Sequence, residues 1–174
     1  MPDKLTLGVT GHRLHLLPGY AGASSQRLRS TLLELAMDRL EDWCPDLVIT
    51  GMATGWDMAV AAACMFRNVP FRAYVPFKGQ EKLWSDIDKQ MYFSLLDEAE
   101  DVRIFSPVQN NAAYHQRDRA IVDDSSRMLA LLLPKMPNSG TALTIEYAEG
   151  WLVPWSNVAE DFLDRLQNGK RPEA

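Results

Sequence analysis

The chain has 174 residues, 47% of them hydrophobic and 24% charged, with a formal net charge of -5. That length and balance suit one soluble globular domain, residues 1–174, with a sizeable core. The acidic balance argues against broad nucleic-acid binding, which needs a basic surface.

Two cysteines, Cys44 and Cys64, lie in or beside apolar segments and read as reduced core residues. The start, MPDKLTLG, lacks a signal-peptide pattern, and no apolar run reaches membrane-spanning length, so a cytoplasmic protein is expected.

Residues 5–10 form the first strand candidate and end in Gly11, His12 and Arg13. An arginine at the carboxyl edge of a parallel sheet is placed to pair with phosphate; the alternative is a solvent-facing loop residue. His12 and His15 have no third ligand candidate nearby, so no metal site is expected. His12 instead shapes the turn or donates to a ligand.

From Ser24 or Ser25 to about 43, Leu28, Leu32, Leu35, Leu40 and Trp43 recur with helical period, and Pro45 closes the segment. A second strand, 47–50, then delivers the stretch TGMATGWDMAVA, residues 50–61, around which the chain is organised. A strand turning through Gly51 and Gly55 into a helix leaves free backbone amides and a positive dipole end, as at an anion site. Met52 and Ala53 belong to this turn. Thr54 and Asp57 fit a capping box; alternatively, the Asp57 carboxylate accepts from ligand hydroxyls. Trp56, beside the turn, is a candidate to stack on a base or to bury against a partner subunit, and a homo-oligomer is compatible with the sequence.

A third strand, 71–76, precedes an amphipathic helix expected over 80–100, with Leu83, Trp84, Ile87, Met91, Leu95 and Leu96 on one side. Lys78 and Gln80 fall near the expected ligand edge, where a solvated loop is an equal reading. Strand four spans 102–105. Residues 112–126 follow, with Arg117 or Arg119 as candidates to reach phosphate and Asp123 and Asp124 as adjacent carboxylates. Residues 128–133 are so apolar that a central strand is expected. Ser139, Gly140 and Thr141 open another helix over 142–149 and suit a second phosphate contact, or else a plain N-cap. An edge strand over 151–155, a last helix over 157–167 and a frayed tail from about 168 complete the chain.

Strands alternating with helices imply an α/β, Rossmann-like, doubly wound and mainly parallel sheet with helices on both faces. Three stretches, at 10–13, 51–57 and 139–141, converge on its carboxyl edge.

Thr-Gly-His-Arg at 10–13, Thr-Gly-Met-Ala-Thr-Gly-Trp-Asp at 50–57, Arg-Asp-Arg at 117–119 followed by Asp-Asp-Ser-Ser at 123–126, and Ser-Gly-Thr at 139–141 with Thr144 and Ala148 resemble the SLOG superfamily, its YpsA-like branch most closely. The resemblance covers about residues 5–148. It implies a fold that binds nucleotides or nucleotide-derived ligands such as ADP-ribose and NAD derivatives. It places phosphate on the Gly51 loop and on Ser139, Gly140 and Thr141, with Arg13 beside the phosphate and Asp57 beside a ribose. The related LOG phosphoribohydrolases carry Gly-Gly-x-Gly-Thr-x-x-Glu; here Thr144 stands at the glutamate position and Glu146 two positions later.

Three readings follow. The first is a sensor or carrier of a nucleotide or ADP-ribose-like ligand that needs no further cofactor. The second is an N-glycosidic bond hydrolase acting on nucleoside monophosphates or NAD-like substrates, with Asp57, Asp118 and Glu146 as candidate carboxylates. The third, which the acidic balance supports least, is single-stranded nucleic-acid binding through Arg13, Arg117 and Arg119.

Overall fold

The computed structural model describes residues 3–169. Six strands form one sheet in the order β4-β3-β2-β1-β5-β6, and every pairing is parallel. They are β1 (Thr6–Gly11), β2 (Leu47–Thr50), β3 (Phe71–Val75), β4 (Asp101–Ile104), β5 (Arg127–Leu131) and β6 (Trp155–Asn157). The helices between and after them are α1 (Gln26–Trp43), α2 (Trp56–Arg67), α3 (Asp86–Glu98), α4 (Asn111–Asp123), α5 (Gly140–Gly150) and α6 (Ala159–Asn168). This is the α/β Rossmann-like architecture expected from the alternation.

Period-two side-chain alternation splits the core across the sheet. Leu7, Val9, Leu129 and Leu131 face the layer of α1, α2, α3 and α6. Ile49, Tyr74, Met128 and Ala130 face α4 and α5. The chain winds outward from β1 to β4, then α4 carries it back beneath the sheet to place β5 on the other side of β1. The strand order therefore reverses between β1 and β5, and a crevice opens outside their carboxyl ends.

Several local expectations are corrected. The helix expected over 80–100 begins only at Asp86. Gly79 turns the chain with φ of 88°, and Ser85 caps α3 by accepting from Asp88 N at 3.2 Å while donating to Asp88 Oδ2 at 2.7 Å. Leu83, expected on the apolar side, is exposed in the turn before the cap. The last strand starts at Trp155 rather than 151, because α5 runs on to Gly150. Cys64 is buried, which pushes its thiol up to about 12, whereas Cys44 is exposed rather than part of the core. Most of the expected frayed tail, residues 170–174, lies outside the described residues. Among the described residues no helix is long and apolar enough to cross a membrane.

Candidate functional site

A cleft of about 430 Å³ lies at the β1–β5 reversal. The end of β1 supplies Thr10, Gly11, His12 and Arg13; α4 supplies Tyr114, Arg117 and Asp118; the start of α5 supplies Ser139, Gly140 and Thr141. The turn before α2 contributes Ala53, and the first turn of α2 contributes Asp57. The three expected stretches thus reach one rim, through fewer residues than expected from the middle one.

That middle stretch is internal. Residues 51–60 are all buried. Met52, at φ 57°, lends its carbonyl to Gln80 Nε2 at 3.4 Å and its amide to Thr50 Oγ1 at 3.3 Å. Gly51 is covered by Arg117, whose Nη1 donates to the Gly51 carbonyl. Gly55 has φ of 94°, and a Cβ there would sit 2.6 Å from the His12 carbonyl oxygen, so the loop after β1 closes over it. Gly51, Met52 and Gly55 therefore do not line the cleft, and the turn is packed shut rather than open as an anion cradle. The expected capping box is absent too: Gly55 occupies the N-cap position, and the Asp57 side chain bonds the Ala53 amide. Trp56 is fully buried, with its Cβ 2.6 Å from where a Gly11 Cβ would stand, so it stacks on neither a base nor a partner.

Asp57 is the exception in this buried turn. It is 5% exposed, and its Oδ2 accepts from Ala53 N at 3.3 Å. Its Oδ1 has no hydrogen-bond partner. Burial raises the carboxyl to about 7, against the opposing pull of Arg117, the Ala53 amide and Arg13.

Arg117 is committed inward. It is buried, with Nη1 bonded to the carbonyls of Gly51 and Tyr74 at 2.5 and 3.5 Å and Nε to Asp118 Oδ1 at 2.6 Å. Its charge is the main counterweight to Asp57. Arg13 is the exposed cation of the cleft, its guanidinium 5.5 Å from the centre of the Tyr114 ring. Arg119 instead lies over Tyr147 at 5.4 Å and lines a neighbouring groove.

His12 is buried, and its Nε2 accepts from Leu133 N at 3.0 Å, which leaves the ring proton on Nδ1. Burial lowers its pKa, so it is neutral at pH 7 and ties the end of β1 to the end of β5. At α5, Ser139 Oγ accepts from Ala142 N at 3.1 Å and is the N-cap. Gly140 and Thr141 follow as the first two helical residues, whose amides no intrahelical carbonyl can accept. A Cβ at Gly140 would meet nothing within 4 Å. Among the three candidate carboxylates, Asp57 and Asp118 share the cleft, while Glu146 lines only the neighbouring groove. Asp123 and Asp124 do not act as a pair: Tyr147 Oη donates to the first at 2.9 Å and Tyr74 Oη to the second at 2.6 Å.

Tyr114 went unsingled in the sequence, although positions 114, 117 and 118 fall on one helical face and that spacing points to it. Among the described residues no three His, Cys, Asp or Glu side chains come together to hold a metal ion. A further hollow of about 370 Å³ lies by α1, α2 and α3; it is mainly apolar, and its Arg29 is paired with Asp88 at 2.8 Å.

No protein-family model and no curated protein matches the sequence. The structure is similar to DNA processing protein A from Streptococcus pneumoniae, with a TM-score of 0.56 and 16% identity over 94% of this chain and 54% of that one. It is also similar to DNA processing protein A from Helicobacter pylori, described for its single-stranded DNA binding mode (TM-score 0.58, 12% identity, 94% of this chain and 73% of that one). A third likeness is to a molybdenum cofactor binding protein from the phototrophic bacterium Rippkaea orientalis (TM-score 0.54, 15% identity, 97% and 88%). The chain spans about half the length of the Streptococcus protein. At these identities the likeness is one of fold, a Rossmann-like α/β fold.

Proposed function

We propose that the protein binds a nucleotide or nucleotide-derived ligand, of the ADP-ribose or NAD kind, in the β1–β5 cleft and acts as its sensor or carrier. The observation that carries this reading is Asp57: a carboxyl 5% exposed, in the lining of the cleft, with Oδ1 unpartnered. That oxygen is closed off from solvent, so it is costly to leave unpaired, and a ligand hydroxyl that meets it when the carboxyl turns toward the cleft removes that cost. Ribose hydroxyls are suitable donors. The phosphate falls to the amides of Gly140 and Thr141, with Arg13 free to approach it. The Thr-Gly-His-Arg motif at 10–13 is the reason for placing the chain near the YpsA-like branch.

Thermal unfolding with ADP-ribose, NAD+, AMP and cyclic AMP tests this. A ligand at 100 times its Kd stabilises the native state by about 2.7 kcal/mol, a readily measured rise in Tm. Asp57→Ala should abolish most of the shift. Arg13→Ala should reduce it while leaving the Tm of the empty protein unchanged, because that side chain is exposed. No shift with any of the four compounds overturns the reading.

The pKa of Asp57, about 7, favours a second reading, cleavage of an N-glycosidic bond. A group that gains and loses a proton near neutral pH is matched to general acid–base work. Chromatography would then show base release from AMP or NAD+, lost in Asp57→Asn with binding retained. Binding without release restricts the protein to the first reading.

A further inference from the structure

β4 is one edge of the sheet, and its outer row of backbone amides and carbonyls has no strand partner among the described residues. All four of its residues are exposed. Val102 pairs in register with Ala73 and Ile104 with Val75, so both turn toward the layer of α1, α2, α3 and α6. They nonetheless stay 39% and 51% exposed. On that face α3 also leaves Phe93 51% exposed. The apolar face of the sheet is thus uncovered at this edge. The other edge, β6, is shorter, and two of its three residues are half-buried.

Asp101 and Arg103 turn to the opposite face, where Arg103 lies over Phe105 at 4.5 Å and holds Asp124 loosely, at 3.8 Å. Charges on an edge keep most strands away. Here the two are of opposite sign and two positions apart, so they reject most registers and favour one.

The favoured register is self-complementary. Two copies joined through one edge strand are related by a two-fold axis, which an antiparallel pair satisfies. An axis between two residues would set outward-facing backbone groups against inward-facing ones. An axis through Asp101 or Arg103 sets a charge against itself, and one through Ile104 pairs no charges. An axis through Val102 places Asp101 of each copy opposite Arg103 of the other. Val102 then meets Val102, and Glu100 meets Ile104.

We propose that β4 is a docking edge for a second copy of this chain, added antiparallel about Val102 so that the two sheets become one. The β1–β5 cleft lies two strands away, so the proposal stands whether or not the reading of that cleft holds.

Sedimentation equilibrium between about 1 and about 300 µM chain tests this, the range suited to a small, weak interface. The wild-type mass should rise with concentration from 19.6 kDa toward twice that value. Asp101→Arg and Arg103→Asp each set like charges opposite one another, twice per dimer. Each should weaken association about 10-fold or more. The double variant Asp101→Arg/Arg103→Asp restores opposite signs and should restore the dimer. An equimolar mixture of the two single variants should also associate, because each then meets its opposite. A wild-type protein that stays at the mass of one chain throughout overturns the proposal. So does a dimer indifferent to both single variants, or a loss that neither the double variant nor the mixture recovers.

Discussion

Replacing Asp57 by Asn should make the unliganded protein more stable, by a margin that grows with pH. The carboxyl has a reference value of 3.8 and is raised to about 7 in the fold. Between those values the native state binds more protons at this site than the unfolded chain does. The stability this preference contributes is fully present below 3.8 and is lost as pH rises through about 7. Asparagine keeps an oxygen for the Ala53 amide but never ionises. From pH 5 to pH 8 the advantage of Asp57→Asn should therefore grow by about 2–3 kcal/mol, at about 1.36 kcal/mol per pKa unit, and level off above pH 8. The His12 contribution has the opposite sign, because a lowered pKa costs stability as pH falls, but it is common to both proteins and cancels in the difference. Urea denaturation of the two proteins at pH 5, 6, 7 and 8 measures it. A constant difference across that range would mean that Asp57 is ionised throughout or solvated.

The second large effect is expected at Arg117. Arg117→Met removes the buried donor that serves the carbonyls of Gly51 and Tyr74 and leaves Asp118 without its partner. Breaking a buried charge pair from one side typically destabilises by about 3–5 kcal/mol. It also removes the strongest influence holding the Asp57 pKa down, so that carboxyl should rise further. Arg117→Lys should recover only part of the loss, since an ammonium cannot span three acceptors with a planar fork. The midpoint of urea unfolding reads the loss, and a change below about 1 kcal/mol in Arg117→Met would show the guanidinium to be dispensable. These two residues belong together: the arginine permits a carboxyl to be buried under the cleft, and the carboxyl keeps one oxygen unpaired there.

Much of the architecture was legible in the residues. The apolar runs at 47–50 and 128–133, the helical period from Leu28 to Trp43 and the glycines ending the first strand are local signals, and each gives its element. The start of α3 was less visible, because Leu83 and Trp84 continue the apolar rhythm backwards from Ile87. The Ser85 cap, with Asp88 three positions on, interrupts that rhythm, and its signal was there to be read. The Gly51 to Gly55 turn shows a harder limit. Its glycines do mark a close approach, but what approaches is the chain's own loop after β1 and the Arg117 side chain. Both come from far away in sequence, so nothing local distinguishes a turn that is covered from one that is open. The same holds for Asp57, whose identity and position were plain but whose surroundings include Arg13 after β1 and Arg117 and Asp118 on α4, both distant in sequence. At Ser139, Gly140 and Thr141 the N-cap and the anion-type amides coexist: Ser139 serves the helix, and the next two amides remain available.

The most direct measurement is a crystal structure of the protein soaked with ADP-ribose. It should show a ribose hydroxyl within hydrogen-bond distance of Asp57 Oδ1 and phosphate oxygens at the amides of Gly140 and Thr141. A phosphate lodged elsewhere, such as in the hollow beside Arg29, with Asp57 Oδ1 still unpartnered, would contradict the assignment.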